Sequence, residues 1–350
     1  MHHLGDAIAN QSNIEERILI MSQPLTIGTV TINPGEVKRG EIPIPGDMYG
    51  DRRSLPIIVY RGVEDGPRLW IAGASHGDEP EGAYSMMLLQ KEAAMDPKKM
   101  KGLVVLVPAI NIEALVGGTR GDPRDKFSYD MNRIYPGKPD GYPSERVAWA
   151  YHKVMVEHCD LHLNIHSGGD HSYLDTAYFA SETKESLELG RALGPEWDLS
   201  MKSGIGPGSP ASVMAQLGKG GLTVELGGWC RMLTTDFQDV GRRIKDSYLN
   251  VMRHYGIIPG EAKYPEKVLR GHQIALLANA TGLFVGEDIE LRKPMKKGTV
   301  VGRIYNLLGD ELEVLQAPED GQVFGLRSKP MVIEGEWCCF YGVIDEVREN

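Results

Sequence analysis

Apolar positions between Pro24 and about Gly260 follow two alternating patterns. Unbroken apolar runs at residues 69–72 and 103–107 predict buried strands, and residues 161–165 and 221–226 predict a third and a fourth strand. Residues 81–94 are helix-prone, and Val147, Tyr151, Val154, Met155 and His158 recur at helical spacing. Phe237, Val240, Ile244, Tyr248, Val251, Met252 and Tyr255 predict a long amphipathic helix. Strands alternating with helices predict an α/β sheet with helices on both faces. From about Glu261 the helical period fades. Short strand-like pieces at residues 274–277 and 300–304 lie between glycines and prolines, which predicts a small all-β domain. The expected division is an N-terminal tail over residues 1–23, a main domain over 24–260 and a C-terminal β domain over 261–350.

Composition narrows the class. A chain of 350 residues suits one large domain, or one plus a smaller partner. The formal net charge of -10 argues against non-specific nucleic-acid binding, although arginines gathered in a pocket would still accept an anion. There is no run of eighteen apolar residues, so no membrane helix and no membrane partner are expected. The first residues lack a basic start followed by an apolar stretch, so no signal peptide is expected either. The cysteines are Cys159, Cys230, Cys338 and Cys339. Two are adjacent and none forms a CxxC pair, so a disulfide framework is not expected and a reducing cytoplasm is the simplest compartment.

The candidate chemistry sits where predicted strands end. Gly73-Ala74-Ser75-His76-Gly77-Asp78-Glu79-Pro80-Glu81-Gly82 follows one strand and precedes a helix. In an open α/β sheet, ligands bind beyond the carboxyl ends of strands. His76 and Glu79 are both zinc-ligand types, though HxxE alone equally describes a loop histidine beside a helix-capping acid. A catalytic zinc usually takes three protein ligands. His166 closes the run Asp160-Leu161-His162-Leu163-Asn164-Ile165-His166, on a face shared with His162 and Asn164. His166 lies nearest the strand's carboxyl end. His162 reads as an interior histidine, and His171 is a lesser rival. Glu225 ends an apolar run before Gly227-Gly228 and is a candidate general base; a structural salt bridge is the alternative. Arg120 and Arg133 lie in a loop-like stretch, where arginine can fork onto a carboxylate or polarise a carbonyl.

Together these segments resemble the succinylglutamate desuccinylase/aspartoacylase family of the zinc carboxypeptidase-like superfamily. The resemblance rests on HGDE at 76–79, DMNRIYPG at 130–137, HSGG at 166–169, VELGG at 224–228 and the APEDG turn at 317–321. It implies a mixed-sheet α/β catalytic domain with helices on both faces and a small C-terminal all-β domain. It also implies one zinc ion per chain on His76, Glu79 and His166. Glu225 would then be general base and proton donor, Arg120 would polarise the scissile carbonyl, and Asn132 with Arg133 would grip a substrate carboxylate. Asp130 is the acid nearest Arg133 in sequence and is expected to orient it. Two departures stand out. The family usually places an aspartate where Asn164 stands. The segment between Arg120 and Asn132 is about two residues longer than the pattern, which makes Arg124 a rival to Arg120.

The expected activity is zinc-dependent hydrolysis of an amide in an N-acyl amino acid or a similar small carboxylate. A metallocarboxypeptidase is the nearest rival, and a non-catalytic binder of small carboxylates is the reading from another class. The sequence leaves a homo-oligomer open and names neither acyl group nor amine.

Overall fold

The computed structural model describes residues 23–46, 53–127, 129–169, 171–203, 208–228 and 234–349. The expected tail therefore lies outside the described residues up to residue 22. Twelve strands form one mixed sheet: β1 (Glu36–Pro43), β2 (Ser54–Arg61), β3 (Glu64–Ala72), β4 (Lys101–Val107), β5 (Leu161–His166), β6 (Ser172–Ala180), β7 (Leu199–Lys202), β8 (Gly220–Gly227), β9 (Lys267–Leu277), β10 (Pro294–Met295), β11 (Gly321–Arg327) and β12 (Trp337–Glu349). Their order across the sheet is β10-β11-β12-β9-β7-β6-β8-β5-β3-β4-β2-β1. The four predicted strands are the cores of β3, β4, β5 and β8. These are inner strands covered on both faces, which is why β3 and β4 carry continuous apolar runs, while β5 alternates leucine and isoleucine with His162, Asn164 and His166.

Six helices accompany the sheet among the described residues: α1 (Glu81–Leu89), α2 (Ile112–Gly117), α3 (Pro143–His158), α4 (Lys184–Arg191), α5 (Pro210–Gln216) and α6 (Thr234–His254). Met86 and Leu89 of α1, Leu189 of α4 and Val240, Ile244 and Tyr248 of α6 pack against Leu69, Ile71, Leu163, Ile165, Leu222 and Val224. On the other face, Val147, Tyr151 and Met155 of α3 and Val213 and Met214 of α5 pack against Trp70, Ala72, Val105 and Val107. Side chains alternate across a strand, so neighbouring residues of β3 serve the two cores in turn. The first helix is shorter than its sequence suggests. It stops at Leu89, and two 3-10 turns (Ala93–Met95, Pro97–Lys99) follow, with Asp96 extended as residues before proline tend to be.

Beyond α6 the described elements are strands. Four of them, β9 to β12, belong to the main sheet. β9 pairs with β7, and β11 pairs with both β12 and β6. Strands β6, β7, β9, β12 and β11 thereby close a ring of pairings, and Ala177, Leu199, Met201 and Phe324 pack together from its strands. Arg270 is fully buried at this junction. Its guanidinium donates to the Ala180 and Met201 carbonyls, the Ser200 hydroxyl and Glu182, so the buried charge is satisfied. The strands Gly282–Gly286, Val300–Tyr305, Glu311–Gln316 and Met331–Val332 form a separate small sheet. Among the described residues no helix is long and apolar enough to cross a membrane. Cys159, Cys338 and Cys339 are buried and free, and Cys230 lies outside the described residues.

Candidate active site

Strands β3, β5 and β8 run parallel and adjacent, so their carboxyl ends open on one edge of the sheet. The loop after β3 carries His76 and Glu79, the end of β5 carries His166, and Glu225 sits on β8 in register with His166. The β3 loop turns back sharply: Ala74 adopts a left-handed φ of 46°, and the Ile110 and Asn111 amides donate to the Gly73 and Ala74 carbonyls. Gly77 is forced by close packing, because a Cβ there would stand 1.9 Å from the Ala114 carbonyl carbon. That neighbour is backbone and cannot swing aside. Gly77→Ala is therefore expected to destabilise the protein by about 1–3 kcal/mol, read as a lower urea midpoint. An unchanged midpoint would mean that the loop moves freely.

His76, Glu79 and His166 converge with their ligand-type atoms within 4.8 Å of one another, and all three side chains are buried. The two Nδ1 atoms are 3.2 Å apart. The Glu79 oxygens reach them separately, Oε1 at 2.9 Å from His76 and Oε2 at 2.7 Å from His166. Burial raises the Glu79 pKa, but the two imidazoles outweigh it and hold the carboxyl well below its usual range. Ligand atoms on zinc, at bonds of about 2.0–2.1 Å, stand roughly 3.3 Å apart in a tetrahedron. The two-imidazole, one-carboxylate set fits such a cation in both chemistry and spacing.

The other nitrogen of His76, Nε2, lies 3.1 Å from Asp130 Oδ1. A proton on Nε2 donated to Asp130 leaves the Nδ1 lone pair facing Glu79 and His166. Asp130 Oδ2 accepts from Arg120 Nε at 3.2 Å and Nη2 at 2.9 Å. Burial opposes ionisation of Asp130, but His76 and Arg120 outweigh it and lower its pKa strongly. This corrects the expectation that Asp130 orients Arg133. It orients His76 and Arg120 instead, because its position before the 131–133 turn commits Oδ1 to the Asn132 amide and aims the carboxylate back across the site. Arg124, the rival to Arg120, is held by Glu113 at 2.8 Å and Asp122 at 3.2 Å and is absent from the cavity lining.

Glu225 Oε2 is buried and has no hydrogen-bond partner among the described residues. Burial first, and then the Glu79 charge, push its pKa well above the usual range; His76 and Arg120 oppose the shift. Glu81 is a second buried carboxyl, raised to about 7 chiefly by burial. Its oxygens accept from the Ser167 hydroxyl and the Gly228 amide, both at 2.8 Å. It therefore ties the end of β5 to the end of β8 and does not line the cavity.

Asn164 is fully buried between Ser75, whose hydroxyl donates to its Oδ1 at 3.0 Å, and Asn132, whose Oδ1 accepts from its Nδ2 at 3.4 Å. Its amide thus supplies both a donor and an acceptor, where an ionised aspartate could only accept. Arg133 is exposed, donates to the Asn132 carbonyl at 3.0 Å and has no carboxylate partner among the described residues. His162 is a core histidine, with Nε2 2.6 Å from the Tyr151 hydroxyl and a pKa lowered to about 3 by burial. His171 is outside the cavity lining.

All seven candidates (His76, Glu79, Arg120, Asn132, Arg133, His166 and Glu225) line one cavity of about 770 Å³. Its remaining wall includes Phe179, Lys202, Gln273, Phe324, Trp337 and Phe340 from β6, β7, β9, β11 and β12. The sequence reading did not single these out. Nothing in their local pattern marks them, since long-range pairing of β11 with β6 is what brings them to the site.

Residues 65–252 match the family model of the succinylglutamate desuccinylase/aspartoacylase catalytic domain. The chain is 27% identical over 344 residues to an N-alpha-acetyl-L-2,4-diaminobutyric acid deacetylase of Halomonas elongata, covering 92% of this chain and 95% of that protein. Among solved structures it resembles a succinylglutamate desuccinylase of a Silicibacter species, with a TM-score of 0.78, 22% identity and coverage of 92% and 99% of the two chains. It also resembles the product-bound ectoine utilization protein of Ruegeria pomeroyi, with a TM-score of 0.77, 24% identity and coverage of 92% and 98%. At these identities the structural likeness speaks for the mixed α/β fold. The family match spans more than half of the sequence, and on it the chain belongs to the succinylglutamate desuccinylase/aspartoacylase family.

Proposed function

We propose that this protein is a zinc-dependent deacylase of N-acyl amino acids. The observation that carries the reading is the convergence of His76, Glu79 and His166 in one cavity with Glu225, whose buried Oε2 has no partner among the described residues. The Halomonas elongata relative, named for removing an acetyl group from an amino acid, supports the reaction class. Zinc held by the three residues would supply Lewis acidity at the scissile carbonyl and make water acidic enough to lose a proton near neutral pH.

The protein's own groups then divide the work. Glu225 accepts the proton of the attacking water and returns it to the departing amine nitrogen. Arg120, fixed by Asp130, donates to the oxygen that gains charge in the tetrahedral state. Asn164 Nδ2 donates to the Asn132 side-chain Oδ1, which leaves the Asn132 Nδ2 hydrogens for the substrate carboxylate. Arg133 forks onto the same carboxylate. Residues 24–260 are the catalytic part in this reading, and the C-terminal β region 261–350 adds Gln273, Phe324, Trp337 and Phe340 to the far wall of the cavity. The compartment proposed is the cytoplasm.

The test is turnover of N-acyl amino acids and of their carboxamides, by wild type and Arg133→Ala, as a double-mutant cycle. Arg133 is exposed, so its contact with a carboxylate is expected to contribute about 1–3 kcal/mol in kcat/KM, less than a fully buried pair would. Arg133→Ala should depress the acid and narrow the gap between acid and amide. If the two losses simply add, Arg133 does not meet the carboxylate. If short peptides turn over and N-acyl amino acids do not, the protein is a peptidase.

A further inference from the structure

Four aromatic rings form a continuous run along the far wall of the cavity. Trp337 and Phe340 stack at 4.3 Å between centroids, Phe340 and Phe324 at 6.1 Å, and Phe324 meets Phe179 edge-on at 6.4 Å. All four line the same cavity as the His76, Glu79 and His166 cluster. Phe179, Phe340 and Trp337 are only half-buried, so their apolar surface faces open space. Phe179 lies beside Thr223, two residues before Glu225 on β8. From there the pairings lead from β6 to β11 and on to β12. These strands close a ring, so the aromatic run curves with the wall in centroid steps of 6.4, 6.1 and 4.3 Å from Phe179 to Trp337.

A small amide leaves this wall unfilled. An acylated amino acid is no longer than a two-residue chain, about 7 Å when extended. Cavities of ~300–1,000 Å³ accommodate ligands of drug size, and 770 Å³ lies well inside that span. The charge pattern narrows the occupant. Among the described residues Glu79 and Glu225 are the carboxylates in the lining, and both lie at the strand ends. Around the rings, Lys202 is the charged residue among the described lining, and its ammonium is already held by Asp345 Oδ2 at 2.7 Å, so that part of the wall offers a ligand no unpaired charge.

We propose that Phe179, Phe340 and Trp337 form a subsite for an aromatic or bulky apolar group of the substrate, in the cavity that holds His76, Glu79 and His166. The inference rests on the deacylase reading for the amide at its centre. Aromatic and aliphatic groups gain by leaving water for such a wall, and ring pairs add further attraction. The favoured substrates are thus N-acyl amino acids with an aromatic or large apolar group on the amine or the acyl side.

The experiment measures binding apart from turnover. The zinc-loaded full chain carrying Glu225→Gln is titrated calorimetrically with N-acetylphenylalanine, N-benzoylglycine, N-acetylalanine and N-alpha-acetyl-2,4-diaminobutyrate. At least one aromatic ligand is expected to bind about tenfold or more tighter than N-acetylalanine, and which one does so assigns the side of the amide. Adding Trp337→Ala should shrink that ratio to about threefold or less. Adding Phe340→Leu, which keeps bulk at the ring position, should shrink it partly. Equal binding of all four, tightest binding of the diaminobutyrate, or an undiminished ratio in both variants overturns the subsite. Turnover by the zinc-loaded wild type is scored separately. An aromatic binding preference without hydrolysis of any ligand would overturn the deacylase reading and leave the subsite standing.

Discussion

Glu225→Gln is expected to keep the fold, the metal content and ligand affinity, and to lose kcat by about 10²-fold or more. Glutamine has the same shape, so packing at the end of β8 is undisturbed. What disappears is the ability to accept a proton. The position suits that role: Glu225 is in register with His166 across a parallel pair and lines the cavity, and its Oε2 has no protein partner among the described residues. Burial and the Glu79 charge favour its protonated form, so it takes up a proton more readily than an ordinary glutamate. The sign of the pH effect follows. Activity needs the carboxylate, so it should fall as pH falls through the Glu225 titration, and that acid limb should be missing in the glutamine variant. Turnover near the wild-type rate would move the base elsewhere. Glu81 is a poor substitute, because Ser167 and Gly228 already occupy its oxygens.

The inner half of the site was legible because the chain builds it locally. Strands β3, β5 and β8 are short apolar-rich stretches, and each ends in a glycine-containing turn with a chemically loaded residue beside it. Strand polarity then decides between His166 and His162, since only the former reaches the carboxyl end. The choice between Arg120 and Arg124 was not legible. It depends on Asp130 and Glu113, acids that lie apart in sequence and capture one arginine each. The same cause misled the reading of Asp130: nearness to Arg133 in sequence counted for less than the direction of its carboxylate. Strand β6 was missed because Tyr173 and Asp175 interrupt its apolar positions, and it is stabilised by β8, β7 and β11 rather than by its own pattern. The aromatic wall shares that origin. Phe179, Phe324 and Phe340 become neighbours only when the ring of strands closes, a long-range event without a local signature.

His76→Ala and His166→Ala are each expected to lose zinc, and with it nearly all activity, while His162→Ala keeps the metal. Each of the first two removes one of three donors from a cluster whose atoms already stand close enough to share one cation. A catalytic zinc with two protein ligands left is held far more weakly. Loss of His76 also strands Asp130, whose carboxylate then keeps only Arg120 and the Asn132 amide. His162 shares a strand face with His166 but serves α3: its ring meets the Tyr151 hydroxyl inside the core, and burial holds it neutral. Removing it should leave a cavity and an unpaired hydroxyl, destabilising the fold by about 2–4 kcal/mol without emptying the metal site. Metal analysis after dialysis against a weak chelator, beside urea unfolding of the same samples, separates the two effects. Wild type should retain about one zinc per chain. Full zinc in both His76→Ala and His166→Ala, with zinc lost from His162→Ala, would reverse the assignment of the third ligand and take the deacylase mechanism with it.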